Sequence, residues 1–153
     1  MRVVWQRVTE AAVAIDGVEV ARIGRGALIL ACVALTDGRE VAIEAARKIA
    51  GLRLFDDVAG KMNLDLATVG GEVLVVSQFT LLADVARGRR PSFTASAGRT
   101  QAEPLLDIFV SELRSLRLPV STGRFGAEMR VHLVNDGPVT LVLDFGADAS
   151  AQG

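Results

Sequence analysis

Ala27-Leu28-Ile29-Leu30-Ala31-Cys32-Val33-Ala34-Leu35 is a nine-residue run with neither a charge nor a hydroxyl. A continuous apolar run of this length fits a strand buried on both faces. Gly24 and Gly26 punctuate the chain before it, and Thr36-Asp37-Gly38 closes it. Working back from this run, residues 3–8 and 12–15 read as strands. Asp16-Gly17 then makes a turn into residues 18–23, whose polarity alternates. Asp-Gly between two such runs is a strong hairpin signal.

Working forward, Val41, Ala45, Ile49 and Leu52 recur at helical spacing, so residues 39–51 are predicted to form an amphipathic helix. Its outward face would carry Arg39, Glu40, Arg47 and Lys48, and Gly51 would end it. Residues 52–66 are mixed, with turn material at Asp56-Asp57 and Gly60-Lys61. Gly70-Gly71 then leads into Val73-Leu74-Val75-Val76, a candidate central strand. A second helix is predicted over 101–116, with Leu105, Ile108, Phe109, Leu113 and Leu116 on one face. Thr100-x-x-Glu103 has the form of a capping box, and Pro104 would hold the helix start to its first turn. Residues 128–134 and 139–145 read as strands joined by a turn at Asn135-Asp136-Gly137-Pro138.

Strands outnumber helices by roughly three to one, which predicts an α+β or barrel-like single domain. That domain would span residues 1–146, with a short, polar, flexible tail over 147–153. The length of 153 residues suits one core without disulfide staples. Half the residues are hydrophobic, yet no apolar run approaches the roughly 20 residues that cross a bilayer. Gln6 and Arg7 come too early for a signal peptide. A soluble, cytoplasmic protein is the expectation.

Cys32 is the only cysteine and lies inside the apolar run, where a free thiol behaves as a small buried hydrophobe. With His132 as the only histidine, an ordinary zinc site cannot be assembled, and no metal or cofactor is implied. Seventeen basic residues against eighteen acidic ones argue against a grip on long stretches of nucleic-acid backbone, and no DNA partner is expected. Any RNA contact should be local. The candidate is the loop 84–99, where Arg87, Arg89, Arg90 and Arg99 accompany a single acid, Asp84.

Chemistry-bearing residues gather where the strand 73–76 runs into Ser77-Gln78-Phe79-Thr80, hydroxyls, an amide and a ring at a strand end. A Ser or Thr nucleophile needs a neighbouring base, and His132 is about fifty residues away in the chain. Residue types alone leave three readings open: turn-capping hydroxyls, a generic Ser or Thr esterase using Thr80, and a non-catalytic RNA-binding module. Trp5 and Phe125 could stack on a base, with core packing as the plainer reading.

Ser77-Gln78-Phe79-Thr80-Leu81 together with Asn135-x-Gly137-Pro138-Val139-Thr140 resembles the bacterial and eukaryotic D-aminoacyl-tRNA deacylases. Gln6-Arg7-Val8, Gly60-Lys61-Met62-Asn63-Leu64, Gly88-x-x-Pro91-Ser92-Phe93 and Thr122-Gly123-Arg124-Phe125 extend the resemblance over nearly the whole chain. It implies that family's fold: one α+β domain, mixed and antiparallel sheets forming a barrel-like core, two main flanking helices. It also implies hydrolysis of the ester joining a D-amino acid to the 3′ end of tRNA, and of glycyl-tRNA mischarged on the alanine tRNA.

By the same resemblance the protein is a homodimer whose partners are itself and the 3′ end of aminoacyl-tRNA. Gly137-Pro138 would be a cis peptide whose two carbonyl oxygens enter the partner subunit's site and exclude L-amino acids, a selectivity built by repulsion. Arg7 would support that segment. Backbone amides near Ser77, Gln78 and Phe79 would stabilise the oxyanion. Thr80 would be an alternative nucleophile to water assisted by the terminal 2′-OH of the RNA, and Phe125 and Met129 would wall the terminal adenosine pocket.

Overall fold

The computed structural model describes residues 1–86 and 88–146. The expected tail over 147–153 and Arg87 lie outside the described residues. The chain forms β1 (Arg2–Ile15), β2 (Val18–Ile23), β3 (Gly26–Cys32), α1 (Arg39–Ala50), β4 (Phe55–Asp56) and β5 (Met62–Leu64). It continues through β6 (Glu72–Ser77), a 3-10 turn (Phe79–Leu82), α2 (Arg99–Ser115), β7 (Val120–Thr122) and β8 (Arg130–Asp144).

The two strands expected before the first turn are one, β1, because each half finds a partner on the same edge. Residues 2–8 pair with β3 and residues 11–15 with β2. Asp16 and Gly17 both take positive φ, 51° and 79°, the conformation that makes a two-residue turn follow strand twist, so the Asp-Gly hairpin stands as expected. The other edge of β1 carries β8 along almost its whole length. β3, β6 and β7 follow in parallel to complete a mixed sheet, which curls until β2 touches β6 and β7. The result is nearly a closed barrel with two helices packed on it, the expected fold class.

Along β3 the apolar run is covered on both faces, as its composition predicts. Ala27, Ile29, Ala31 and Val33 join the core beneath the helices, and Leu28 joins the core inside the curl, with Leu30 packed against it. β6 repeats the pattern, with Val73 and Val75 on one side and Leu74 and Val76 on the other. These two strands form the centre from which the chain enters the 3-10 turn. Trp5 is fully buried and meets Phe55 edge-on, so it is a core residue and not a stacking platform.

Three local expectations are corrected. Helix α2 begins at Arg99 with Gly98 as its N-cap and no side-chain cap, so Thr100 is already helical and no capping box forms. Pro104 sits well inside the helix and not in its first turn; Thr100 and Pro104 are both exposed, so water can take the carbonyl that a proline cannot serve. The buried face of α2 is Ala102, Leu106, Phe109, Val110 and Leu113, rotated from the expected one because the helix packs on α1 as well as on the sheet. Residues 52–66, read as mixed, form the small β4–β5 ribbon.

A fourth correction concerns Asn135-Asp136-Gly137-Pro138, which does not reverse the chain. β8 runs through it without changing direction. Gln6 is level with Thr140 and Val8 with Asn135, so residues 136–139 of β8 all stand opposite the single residue Arg7. The surplus chain is extruded as a wide bulge.

Candidate active site

β3 and β6 end side by side. Ser77 is level with Ala31, and the next amide, Gln78 N–H, still donates to Ala31 O (2.9 Å). The chain then leaves the sheet into the 3-10 turn, whose first internal bond is Leu81 N–H to Gln78 O. The N–H groups of Phe79 and Thr80 therefore precede any acceptor that the turn itself can offer.

Beside this turn lies a cleft of about 320 Å³ between the ends of β3 and β6, the start of α2 and residues 125–131. It brings together Ser77, Gln78, Phe79, Phe125 and Met129 from distant parts of the sequence. Thr80 is exposed next to it, and its hydroxyl accepts a hydrogen bond from the Gln78 side-chain amide. Among the residues lining the cleft the one titratable group is Cys32, and burial pushes its thiol above the ordinary range. His132 instead borders a separate depression with Glu10 and Arg22. Of the expected donors, the Gln78 amide is already committed to Ala31, Ser77 lies within β6, and the Phe79 and Thr80 amides are the two that open the turn.

Segment 92–97, which the sequence reading treated as loop, supports the turn. Residues 33–35 and 95–97 exchange backbone bonds, Leu35 N–H to Ala95 O (3.0 Å) and Ala97 N–H to Val33 O (2.9 Å). Phe93 packs edge-on against Phe79, with ring centroids 5.0 Å apart. Ser96 Oγ donates to Phe79 O at 2.8 Å, and Cys32 Sγ lies 3.4 Å from the same oxygen. No local pattern marks Ser96, because its partner is set by tertiary pairing. The Arg99 guanidinium, bonded to Glu103, sits 5.7 Å from the Phe125 ring centre without itself lining the cleft.

Gly137, Pro138 and Arg7 are not among the residues lining this cleft. The Gly137-Pro138 peptide is cis, as expected from the resemblance. Arg7 is only 6 % exposed and fills the space beneath the bulge; its Nε donates to Asp136 O (2.9 Å) and its Nη1 to Leu54 O (2.7 Å). Asp56 and Asp136 supply nearby carboxylates at 3.7 and 3.4 Å. Asn135 staples the bulge closed: its Oδ1 accepts from Val139 N–H (2.8 Å) and its Nδ2 donates to Thr140 Oγ1 (2.9 Å). Of the expected arginine cluster, Arg89 and Arg90 are exposed on a loop pinned by mutual Asp84–Ser92 backbone bonds, while Arg99 is engaged with Glu103.

A strand-end cleft with main-chain donors and no carboxylate, imidazole or amine among its lining residues can bind and polarise a carbonyl through oriented dipoles. Chemistry of that kind suits an acyl group and needs no activated side-chain nucleophile. The chain belongs to the D-Tyr-tRNA(Tyr) deacylase family, whose model matches residues 4–144, and so to a family of hydrolases. It is 57 % identical over 144 residues to the D-aminoacyl-tRNA deacylase of Thermomicrobium roseum, covering 94 % of each chain. It is 51 % identical to the enzyme of that name from Geobacter sulfurreducens, over 94 % of this chain and 95 % of that one.

Among solved structures it resembles a c-Myc DNA unwinding element binding protein, with TM-score 0.89 and 39 % identity over 96 % of this chain and 100 % of that one. A probable eukaryotic D-amino acid tRNA deacylase shares the fold, with TM-score 0.81 and 17 % identity over 93 % and 97 % of the two chains. No helix among the described residues is long and apolar enough to cross a membrane.

Proposed function

We propose that this chain, as a homodimer in the cytoplasm, hydrolyses the ester of D-aminoacyl-tRNA to free D-amino acid and tRNA. The observation that carries the reading is the pair of amides, Phe79 and Thr80, with no acceptor among the described residues, beside a cleft whose lining has no carboxylate, imidazole or amine. The ester carbonyl accepts from these amides. Water attacks the carbonyl carbon, its proton is relayed through the terminal 2′-OH to the departing 3′ oxygen, and the developing oxyanion is held by the same donors. Collapse breaks the ester bond and releases the tRNA 3′-OH. Phe125 and Met129 wall the terminal adenosine, and no bound cofactor takes part.

Selectivity is assigned to Gly137-Pro138 of the partner subunit, whose backbone oxygens leave no room for a side chain in the L-configuration. Exclusion of this kind does not read side-chain identity, and it admits glycine. Glycyl-tRNA mischarged on the alanine tRNA is therefore a substrate as well. Thr80 as a nucleophile is disfavoured, since its hydroxyl is paired with a neutral amide and not with a base.

The test is release of amino acid from D-Tyr-tRNA and L-Tyr-tRNA by the purified protein. Turnover of the D-form alone is expected; equal turnover of both, or of neither, would overturn the reading. Replacing the Phe79–Thr80 amide by an ester, through incorporation of an α-hydroxy acid at position 80, removes the Thr80 N–H donor and also weakens the Phe79 carbonyl as the acceptor for Ser96 Oγ. Loss of about 10²–10³ in kcat is expected, the size found when a single oxyanion donor is deleted.

A further inference from the structure

We propose that Ser96, with Cys32 beside it, is a positioning residue that sets the direction of the Thr80 N–H. The inference rests on reading the cleft as the deacylase site. The turn Phe79–Leu82 buries none of its side chains, and Phe79 itself is 57 % exposed. Core packing therefore cannot be what fixes its peptide planes. Hydrogen bonds must do so.

The peptide joining Phe79 to Thr80 is gripped at one end. Its carbonyl oxygen accepts from Ser96 Oγ at 2.8 Å and is approached by Cys32 Sγ at 3.4 Å, two side chains from segments outside the turn. A trans peptide is a rigid plane with C=O and N–H pointing opposite ways. Holding the Phe79 oxygen toward Ser96 and Cys32 thus holds the Thr80 N–H away from them, at a fixed angle. The donated bonds also polarise the peptide, which makes that N–H a better donor.

The grip is itself anchored. Ser96 bridges to Ala34 in antiparallel fashion, its N–H donates to Phe93 O (3.0 Å), and its neighbours are bonded to residues 33 and 35. Cys32 is the last residue of β3 and is buried. The hydroxyl is therefore presented from the sheet, and the donor direction is tied to the barrel as well as to the turn's own backbone bonds.

Ser96→Ala tests this. It should lower kcat about tenfold while leaving KM within twofold, since an aimed donor contributes only part of the 10²–10³ of a deleted one. Ser96→Thr should restore kcat to within about twofold, because it keeps the hydroxyl. Cys32→Ala should cost about two- to threefold, the weaker donor being lost. Should Ser96→Ala fold poorly, Ser96→Cys keeps the volume with a weak donor and should fall between Thr and Ala. A Ser96→Ala protein with parental kcat, or a Ser96→Thr protein as slow as Ser96→Ala, would overturn the inference. Amide NMR of the ligand-free protein separates this from failure of the activity reading: the Thr80 N–H resonance should move in Ser96→Ala and return in Ser96→Thr. An unmoved resonance overturns the positioning role even if the parent shows no deacylation, while a moved one supports it independently of activity.

Discussion

At the scale of single residues the cleft contrasts with a hydrolase built on an activated side chain. Loss of a true nucleophile costs on the order of 10⁴ or more in kcat, whereas Thr80→Ala here removes only a hydroxyl paired with Gln78. A fall of less than about tenfold is expected in single-turnover assays, and a loss near 10⁴ would return Thr80 to the nucleophile's role. His132→Ala should leave turnover unchanged, because that ring borders a depression away from the cleft. The Cys32 thiol adds a pH effect. Burial raises its pKa above that of the unfolded chain, so its contribution to stability is complete below the ordinary thiol range and declines above it, where the unfolded chain ionises first. Urea unfolding at neutral and alkaline pH should show the parent losing more stability than Cys32→Ala; equal losses would mean the thiol is not desolvated. Cys32 was legible as a buried hydrophobe from its apolar neighbours, but its approach to Phe79 O was not, because that contact spans 47 positions of sequence.

At the scale of elements, the bulge in β8 shows where reading the sequence stops. Asn, Asp, Gly and Pro each favour turns locally, and that preference was correct about the need for irregular backbone. It was wrong about direction, since only pairing with β1 on both sides keeps the chain running straight. The hairpin at Asp16-Gly17 was legible because its signal is wholly local, and β3 and β6 because burial on both faces writes itself as an unbroken apolar run. The α2 face was misplaced because α1 is a non-local partner. Within the bulge, Arg7 reaches Asp136 O and Leu54 O with two different nitrogens. A lysine offers a single ammonium and cannot make that fork. Arg7→Lys should lower stability by about 2 kcal/mol, the worth of a charge-assisted bond, and raise hydrolysis of L-aminoacyl-tRNA relative to the D-form. Unchanged discrimination in a folded Arg7→Lys protein would separate Arg7 from selectivity. Asn135→Asp should act in the same direction, since it keeps the acceptor for Val139 N–H but loses the donor to Thr140.

At the scale of the whole molecule, one protomer holds the cleft and the Gly137-Pro138 bulge as separate features, for neither bulge residue lines the cleft. The proposed selectivity therefore requires two chains, each lending its bulge to the other's cleft, and that arrangement has a consequence for mixtures. Gly137 has φ 140°, and an added Cβ would come within 2.7 Å of Val139 Cγ2 and 2.9 Å of Val139 N, so Gly137→Ala must displace the bulge. Its homodimers should keep turnover of D-aminoacyl-tRNA but gain turnover of the L-form. A protomer carrying the ester at Phe79–Thr80 has the opposite defect, an intact bulge and a disabled cleft. When Gly137→Ala protein is exchanged with an excess of the ester protomer, nearly every working cleft is paired with an intact bulge. Hydrolysis of the L-form should then fall toward the parental level while D-turnover per Gly137→Ala chain is retained. If each chain filtered its own cleft, mixing would leave the L-to-D ratio of the Gly137→Ala protein where it was, and the shared site would be refuted even with a dimer plainly present by sedimentation.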